Sequence, residues 1–330
     1  MVAPDEPPEA WLGRTLDGKY EIQTVLGVGG MGMVFSAQRV LIGDEVALKV
    51  LYPRLLQSPL QRDLFRDEAI AAARLSHRNV VTVYDAGFAE EESVAYIAME
   101  LLKGSTLKDL LREKAPLSPE ELVPLGAQIC EGLSAAHDAQ IIHRDLKPDN
   151  VFLENVPDGS TRVKLVDFGI SAMLDVDRSG ERRQRLGTLR YMSPEQCRGQ
   201  VVDRRADLYA LGVVMYEGLT RRRVTGKSVS AVVNEVPAIP NLLLPPEQQL
   251  PPRLEDLLLR LLAKNPEDRP SSAEDTREAL LAIIHGGPGA DRPVQLGHIV
   301  SSAPAESGLG FNWKYAVLAG IICGLLFGAL

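Results

Sequence analysis

The chain has 330 residues, of which 45% are hydrophobic and 24% are charged, and these ordinary proportions for a folded protein exclude wholesale disorder. The net charge of −8 argues against nucleic acid as the main partner, so the basic run Arg221-Arg222-Arg223 is interpreted as solvated surface. The three cysteines form no C-x-x-C pair, which argues against a disulfide framework or a zinc site and fits a reducing compartment.

The first predicted strand covers residues 20–26, where apolar and polar side chains alternate. It leads into the glycine pattern Gly27-x-Gly29-x-x-Gly32, which also opens dinucleotide-binding folds. Those folds need a helix directly after the glycines, whereas residues 34–38 favour a strand. The glycines are therefore predicted at a hairpin tip, where backbone N–H groups can approach phosphates closely, with a plain tight turn as the alternative.

A lysine lies inside the next predicted strand, residues 44–51. Ala47 and Lys49 share one face of it, because side chains alternate with a period of two. A small residue beside a cation suits a flat ring packed on the sheet with its phosphates near the ammonium.

A helix is predicted over residues 60–75, and its Glu68 is expected to face solvent unless it pairs with Lys49.

Two further strands are predicted over residues 80–84 and 94–99, followed by a hinge at residues 100–104, where alternation stops at a glycine. A helix then begins at the capping residue Ser118 and leads to the central loop. Pro124 is expected to delay or kink the start of this helix.

The loop at residues 142–151 places a carboxylate, an ammonium and a carboxamide close together, at Asp145, Lys147 and Asn150. Phosphoryl transfer needs an acceptor for a hydroxyl proton, a cation near the moving oxygens and oxygen ligands for a metal. A polar surface loop with a chance charge pattern is the alternative. Asp167-Phe168-Gly169 follows another short strand, and its aspartate is either part of a turn or a metal carboxylate.

The remaining chain is predicted to be helical, apart from a polar loop over residues 171–190. Predicted helices cover 203–220 and 254–263, and a last helix starts at the serine cap 271–272 and ends at 286–288. Residues 224–252 are rich in proline and receive no assignment.

An uncharged apolar run occupies residues 315–330, after a Gly-, Pro- and Ser-rich linker. As a helix it would span roughly 24–27 Å, slightly under the hydrocarbon thickness of about 30 Å. Trp313, Lys314 and Tyr315 stand where interfacial residues would. A membrane anchor is therefore expected, with a buried core helix as the alternative.

Together these motifs resemble the protein serine/threonine kinases, most closely the eukaryotic-type membrane-anchored kinases of bacteria, over residues 20–284. The resemblance implies an α+β fold of two lobes, a small β-rich N-lobe and a larger helical C-lobe, with a C-terminal transmembrane helix. The domains are then a disordered tail (1–14), the N-lobe (15–101), the C-lobe (102–285), a juxtamembrane linker (286–312) and the anchor (313–330). The kinase domain would face the cytoplasm from a single-pass anchor in the cell membrane.

The resemblance also implies residue roles. Lys49 would hold the α- and β-phosphates of ATP and pair with Glu68, while Asp145 would accept the substrate hydroxyl proton beside Lys147. The implied metal ligands are Asn150 and Asp167, for Mg²⁺ with Mn²⁺ as an alternative. The implied nucleotide-binding residues are Leu26, Gly27, Gly29, Gly32, Val34, Ala47, Lys49, Met99, Glu100, Leu102 and Leu153. The implied structural ion pair is Glu195 with Arg269, and the implied phosphorylation sites are Ser179 and Thr188.

The function expected from this set is transfer of phosphate from ATP to serine or threonine hydroxyls of protein substrates, with autophosphorylation, in signalling at the membrane. Homodimerisation is left open. Lys147 and Thr188 favour the serine/threonine branch over tyrosine specificity. The alternative is a pseudokinase that acts as a membrane-tethered nucleotide-binding scaffold. It is disfavoured because the lysine, the aspartates and the asparagine are all present. Ser193 and residues 221–250 depart from the family pattern.

Overall fold

The computed structural model describes residues 6–168 and 189–285 of the chain. Gly169, the predicted phosphorylation sites Ser179 and Thr188, and the predicted anchor at 313–330 lie outside these residues. Within the described ranges, no helix is both long and apolar enough to cross a bilayer.

An antiparallel six-stranded sheet forms the N-terminal lobe, in the order β1-β2-β3-β4-β6-β5. Its strands are β1 (Thr15–Leu16), β2 (Tyr20–Val28), β3 (Gly32–Arg39), β4 (Glu45–Leu51), β5 (Val83–Ala89) and β6 (Val94–Glu100). Helix α1 (Pro59–Arg74) begins at a capping box, in which Ser58 and Gln61 bond each other's backbone N–H. The predicted hairpin of β2 and β3 around the glycines is confirmed.

The N-terminal residues correct one prediction, because residues 8–14 are not a disordered tail. Trp11 is 1% exposed and packs near Phe35, with ring centroids 6.2 Å apart. Backbone bonds join Gly13 to Ile22 and Ile22 to Arg14, both at 2.8 Å. Burial of the large indole explains why this segment is ordered on the sheet.

The strand predicted at residues 80–84 is also wrong in its bounds, since β5 starts at Val83. Val80 and Val81 are buried, but their backbone meets Leu165 of the other lobe through a single parallel bridge and a 2.9 Å bond. Their apolar character therefore reflects burial between the lobes rather than membership of the main sheet.

The C-terminal lobe carries a second, three-stranded sheet of β7 (Gly104–Thr106), β8 (Val151–Asn155) and β9 (Thr161–Leu165). Its helices are α2 (Leu107–Lys114), α3 (Pro119–Asp138), α4 (Pro194–Arg198), α5 (Arg205–Thr220), α6 (Val229–Asn234), α7 (Pro240–Leu243), α8 (Pro252–Leu261) and α9 (Ala273–His285). Helix α5 is buried along its length after Arg205 and lies at the centre of the lobe. Helix α3 starts at Pro119 from the Ser118 cap, so Pro124 does not delay it.

Candidate active site

A buried carboxylate of α5 holds the loop that carries Asp145 through hydrogen bonds to the loop backbone. Asp207 is 1% exposed and accepts hydrogen bonds from the backbone N–H groups of His143, at 2.9 Å, and Arg144, at 2.8 Å. It also lies 2.8 Å from Nε2 of His137. Arg144 has a left-handed backbone with φ of 62°, a conformation that such bonds stabilise.

Asp207 lies in the helix predicted over residues 203–220, and the sequence alone predicts no role for it. The available signal was a carboxylate within an otherwise apolar helical run. A buried carboxylate is costly unless several donors reach it, so its position predicts a hydrogen-bonding task.

Two polar side chains of the loop, those of Lys147 and Asn150, bond to the carboxylate of the third, Asp145. Nζ of Lys147 lies 2.6 Å from Oδ2 of Asp145, and Nδ2 of Asn150 donates to the Asp145 backbone oxygen at 2.8 Å. Asp145 is 5% exposed, and its Oδ1 is buried with no hydrogen-bond partner in the described part of the chain. A buried carboxylate oxygen without a donor is suited to accept a proton from an incoming hydroxyl.

The predicted ion pair between Lys49 and Glu68 is not formed among the described residues. Lys49 is 5% exposed and donates instead to Oδ1 of Asp167, at 2.6 Å. Burial acts to raise the pKa of Asp167, but the adjacent Lys49 ammonium outweighs it, and the pKa lies below its ordinary value. The prediction failed because the Lys49 ammonium lies within bonding distance of Asp167, whereas Glu68 lies among apolar side chains.

Glu68 lies instead in an apolar cavity between α1 and the sheet. The cavity walls include Phe65, Ile97 and Phe168, and Oε2 of Glu68 has no hydrogen-bond partner within the described residues. Burial raises the pKa of Glu68 to about 7, although the Arg144 guanidinium acts to lower it.

A divalent cation fits the donor set at Asn150 and Asp167. Because Asn150 uses its amide nitrogen to bond Asp145, its carbonyl oxygen is available as a neutral ligand. Mg²⁺ is commonly held by one or two protein oxygens together with substrate phosphates. Asn150 and Asp167 are only two ligands. Within the described residues, no cluster of three or more His, Cys, Asp or Glu side chains could hold a metal.

The glycine hairpin leaves open space at two of its three glycines. A Cβ atom at Gly27 would meet nothing within 4 Å, and one at Gly29 would meet only the Gly32 oxygen, at 3.8 Å. A Cβ atom at Gly32 would lie 2.0 Å from the Val50 oxygen. Gly32 is therefore required by strand packing, while the other two leave room for a ligand.

Below the hairpin, small and apolar side chains line the space beside Lys49. Ala47 faces Met99 across the pairing of β4 with β6, and Val34 lies opposite Lys49 on β3. Leu26 is half exposed at 50%. The other predicted lining residues are Leu102, which packs with Ala47 and Met99, and Leu153, which is buried in the C-terminal lobe.

A buried ion pair joins the start of α4 to the segment before α9. Arg269 donates to both oxygens of Glu195, at 2.6 and 2.8 Å, as the resemblance implied. Ser193, the departure noted in the sequence, caps α4 together with Gln196. The Gln196 side chain also donates to the Arg144 oxygen at 2.9 Å, which links α4 to the loop that carries Asp145.

Residues 20–280 match the family described as "Protein kinase domain". The chain belongs to the protein kinase family. The two-lobed fold expected from the sequence is confirmed, since the kinase domain of PknI from Mycobacterium tuberculosis superposes with a TM-score of 0.67 at 27% identity. That superposition covers 84% of this chain and 98% of the PknI chain.

Curated relatives carry serine/threonine-protein kinase names. The chain is 38% identical to pkn3 of Myxococcus xanthus, over 86% of this chain and 53% of the relative. It is also 38% identical to PknB of M. tuberculosis, over 83% of this chain and 44% of that protein. Identity to PrkC of Bacillus subtilis is 35%, over 80% of this chain and 40% of PrkC. The chain thus spans about half the length of these relatives or less.

Proposed function

We propose that the protein transfers the γ-phosphate of ATP to serine or threonine hydroxyls of proteins, including its own. The observation that carries this proposal is Asp145, whose buried Oδ1 has no hydrogen-bond partner within residues 6–168 and 189–285, while Lys147 and Asn150 hold the rest of the group. The names of its bacterial relatives support the same reaction.

In the proposed reaction, Oδ1 of Asp145 accepts the proton of the substrate hydroxyl as the hydroxyl oxygen attacks the γ-phosphorus. The bond between the γ-phosphorus and the oxygen bridging to the β-phosphate breaks, and ADP leaves. Lys147 lies 2.6 Å from the same carboxylate and would neutralise charge on the transferring oxygens. Asn150 and Asp167 would hold Mg²⁺, which when bound would neutralise charge between the phosphates. Lys49 would exchange its bond with Asp167 for the α- and β-phosphates, and Glu68 would then be its partner.

The test is phosphate transfer from Mg-ATP by the purified full chain. Asp145→Asn should lower self-labelling and labelling of a generic protein substrate by at least about a thousand-fold, because it removes the proton acceptor. Asp158→Asn, the same change on an exposed turn between β8 and β9, should leave labelling unchanged. Phosphopeptide mapping should place autophosphorylation at Ser179 and Thr188. Equal labelling by the wild type and Asp145→Asn would support the scaffold alternative.

We also propose that residues 313–330 anchor the chain in the cell membrane with the kinase domain in the cytoplasm. The uncharged run with its flanking Trp313 and Lys314 supports this. The full chain should sediment with membranes and need detergent for release, whereas a chain ending at His285 should stay in the supernatant. A full chain that remains in the supernatant without detergent would contradict the anchor.

A further inference from the structure

A groove of about 350 Å³ borders the catalytic loop at Pro148 and Asp149. Its other walls come from α2, from residues 190–191 and from the C-terminal end of α5. Five cations line it, namely Lys108, Arg112, Arg190, Arg221 and Arg223. Two carboxylates accompany them, those of Asp149 and Glu217, so the groove is basic although the chain carries −8 overall.

Both carboxylates are already paired inside the groove. Lys108 lies 2.5 Å from Asp149, and Nε of Arg190 lies 2.5 Å from the buried carboxylate of Glu217. A third cation, Arg112, binds Asp109 at 3.0 Å. These pairs leave no carboxylate of the groove available to bind a basic ligand.

Two cations remain for a ligand. Arg221 and Arg223 are exposed, line the groove, and form no ion pair within 4.0 Å among the residues that the structure describes. Cations at a helix C-terminus interact favourably with its carbonyl groups, which accounts for basic residues after Thr220. That effect does not explain why α2 and residue 190 contribute cations to the same groove, or why Arg222 of the same run does not line it.

We propose that this groove binds acidic residues of the protein substrate that flank the phosphate-accepting serine or threonine. The inference rests on the proposed function, since Asp149 lies four residues after Asp145 on the same loop. An extended peptide advances roughly 3.3–3.6 Å per residue, so a chain with its hydroxyl at Asp145 passes the groove within a few residues. Arginine side chains are well suited to carboxylates, because one guanidinium can donate two parallel hydrogen bonds to one carboxylate. Arg221 and Arg223 are then specificity-determining residues.

Peptide binding and peptide phosphorylation test the inference separately. Three fluorescent peptides share one central serine and differ only in its flanking residues, which are Glu, Gln or Lys. Binding to the full-length protein is measured by fluorescence anisotropy at low and high salt, and KM and kcat are measured with Mg-ATP. We expect the Glu peptide to bind at least about five-fold more tightly than the Gln peptide, with the difference shrinking in high salt.

The variants Arg223→Glu and Arg222→Glu change the net charge equally, but only Arg223 lines the groove. Arg223→Glu should raise Kd and KM for the Glu peptide by about five-fold or more and leave kcat and the Gln peptide unaffected. Arg222→Glu should leave all these values within two-fold, which excludes a general charge effect. Arg221→Gln should act in the same direction as Arg223→Glu.

Equal binding of the three peptides, or equal effects of the two reversals, would overturn the inference. If the protein binds the Glu peptide preferentially but phosphorylates nothing, the groove assignment stands and the proposed reaction fails. If it phosphorylates all three peptides equally well, the reaction stands and the groove assignment fails.

Discussion

The bonding of Lys49 is the residue-level feature that most affects the site. Its ammonium lies 2.6 Å from Asp167 and forms no ion pair with Glu68 among the described residues. Glu68 is left among apolar side chains with one oxygen unpaired in the described part of the chain. Since burial of Glu68 outweighs the effect of the Arg144 guanidinium and raises the pKa, the conformation seen here favours a proton on Glu68.

Replacing Glu68 by glutamine should therefore stabilise the protein at alkaline pH. The folded-state pKa of about 7 exceeds the ordinary value of 4.5, so folding favours the protonated form and stability is lost as pH rises through 7. Glutamine cannot ionise and avoids this loss. The stability of Glu68→Gln relative to wild type should increase by on the order of 1–2 kcal/mol between pH 5 and pH 8, allowing for partial exposure. Urea unfolding at both pH values measures it.

An exposed helix glutamate provides the control for that experiment. Glu278 is exposed on α9, and the effect of Glu278→Gln on the free energy of unfolding should be the same at pH 5 and pH 8. A difference between wild type and Glu68→Gln that does not vary with pH would mean that Glu68 is already ionised at pH 5.

At the scale of elements, helix starts were the most predictable features. Their signals are local, since Ser118 accepts from the backbone N–H of Glu121, and Ser272 accepts from that of Asp275 at 3.0 Å. Strand β6 was also predictable, because Val94, Tyr96 and Ile97 favour a strand. The loop of Asp145 could also be identified, because its three polar groups lie within six residues.

Elements fixed by distant contacts could not be predicted. Trp11 is ordered by burial on the sheet, and Val80 by a bridge to Leu165, neither of which leaves a local signal. Helices α6 and α7 lie in the proline-rich stretch, where proline appears at the first helical position of α7. The partner of Lys49 lies 118 residues away, so no local pattern identifies it.

At the scale of the whole molecule, a partly buried ion pair connects the two lobes at the hinge. Nζ of Lys164, on β9, lies 2.6 Å from Oε1 of Glu100 at the end of β6 and 3.3 Å from the Val80 oxygen. The same Glu100 oxygen accepts the Thr82 backbone N–H at 2.7 Å. One lysine thus joins the C-terminal sheet to the end of the N-terminal sheet.

Loss of this lysine should uncouple the unfolding of the lobes. Lys164→Met leaves the Glu100 carboxylate partly buried without its cation, at a cost of about 2–3 kcal/mol, whereas adding Glu100→Gln should recover about 1 kcal/mol. In a Trp313→Phe background, Trp11 fluorescence reports the N-terminal lobe and far-UV circular dichroism reports mainly the helical lobe. The two urea transitions should coincide in the parent and separate in Lys164→Met. Lys103 is an exposed lysine at the same hinge, and Lys103→Met should leave the two transitions coincident. If Lys103→Met separates the transitions as far as Lys164→Met does, the effect comes from lost charge rather than from the Lys164–Glu100 pair.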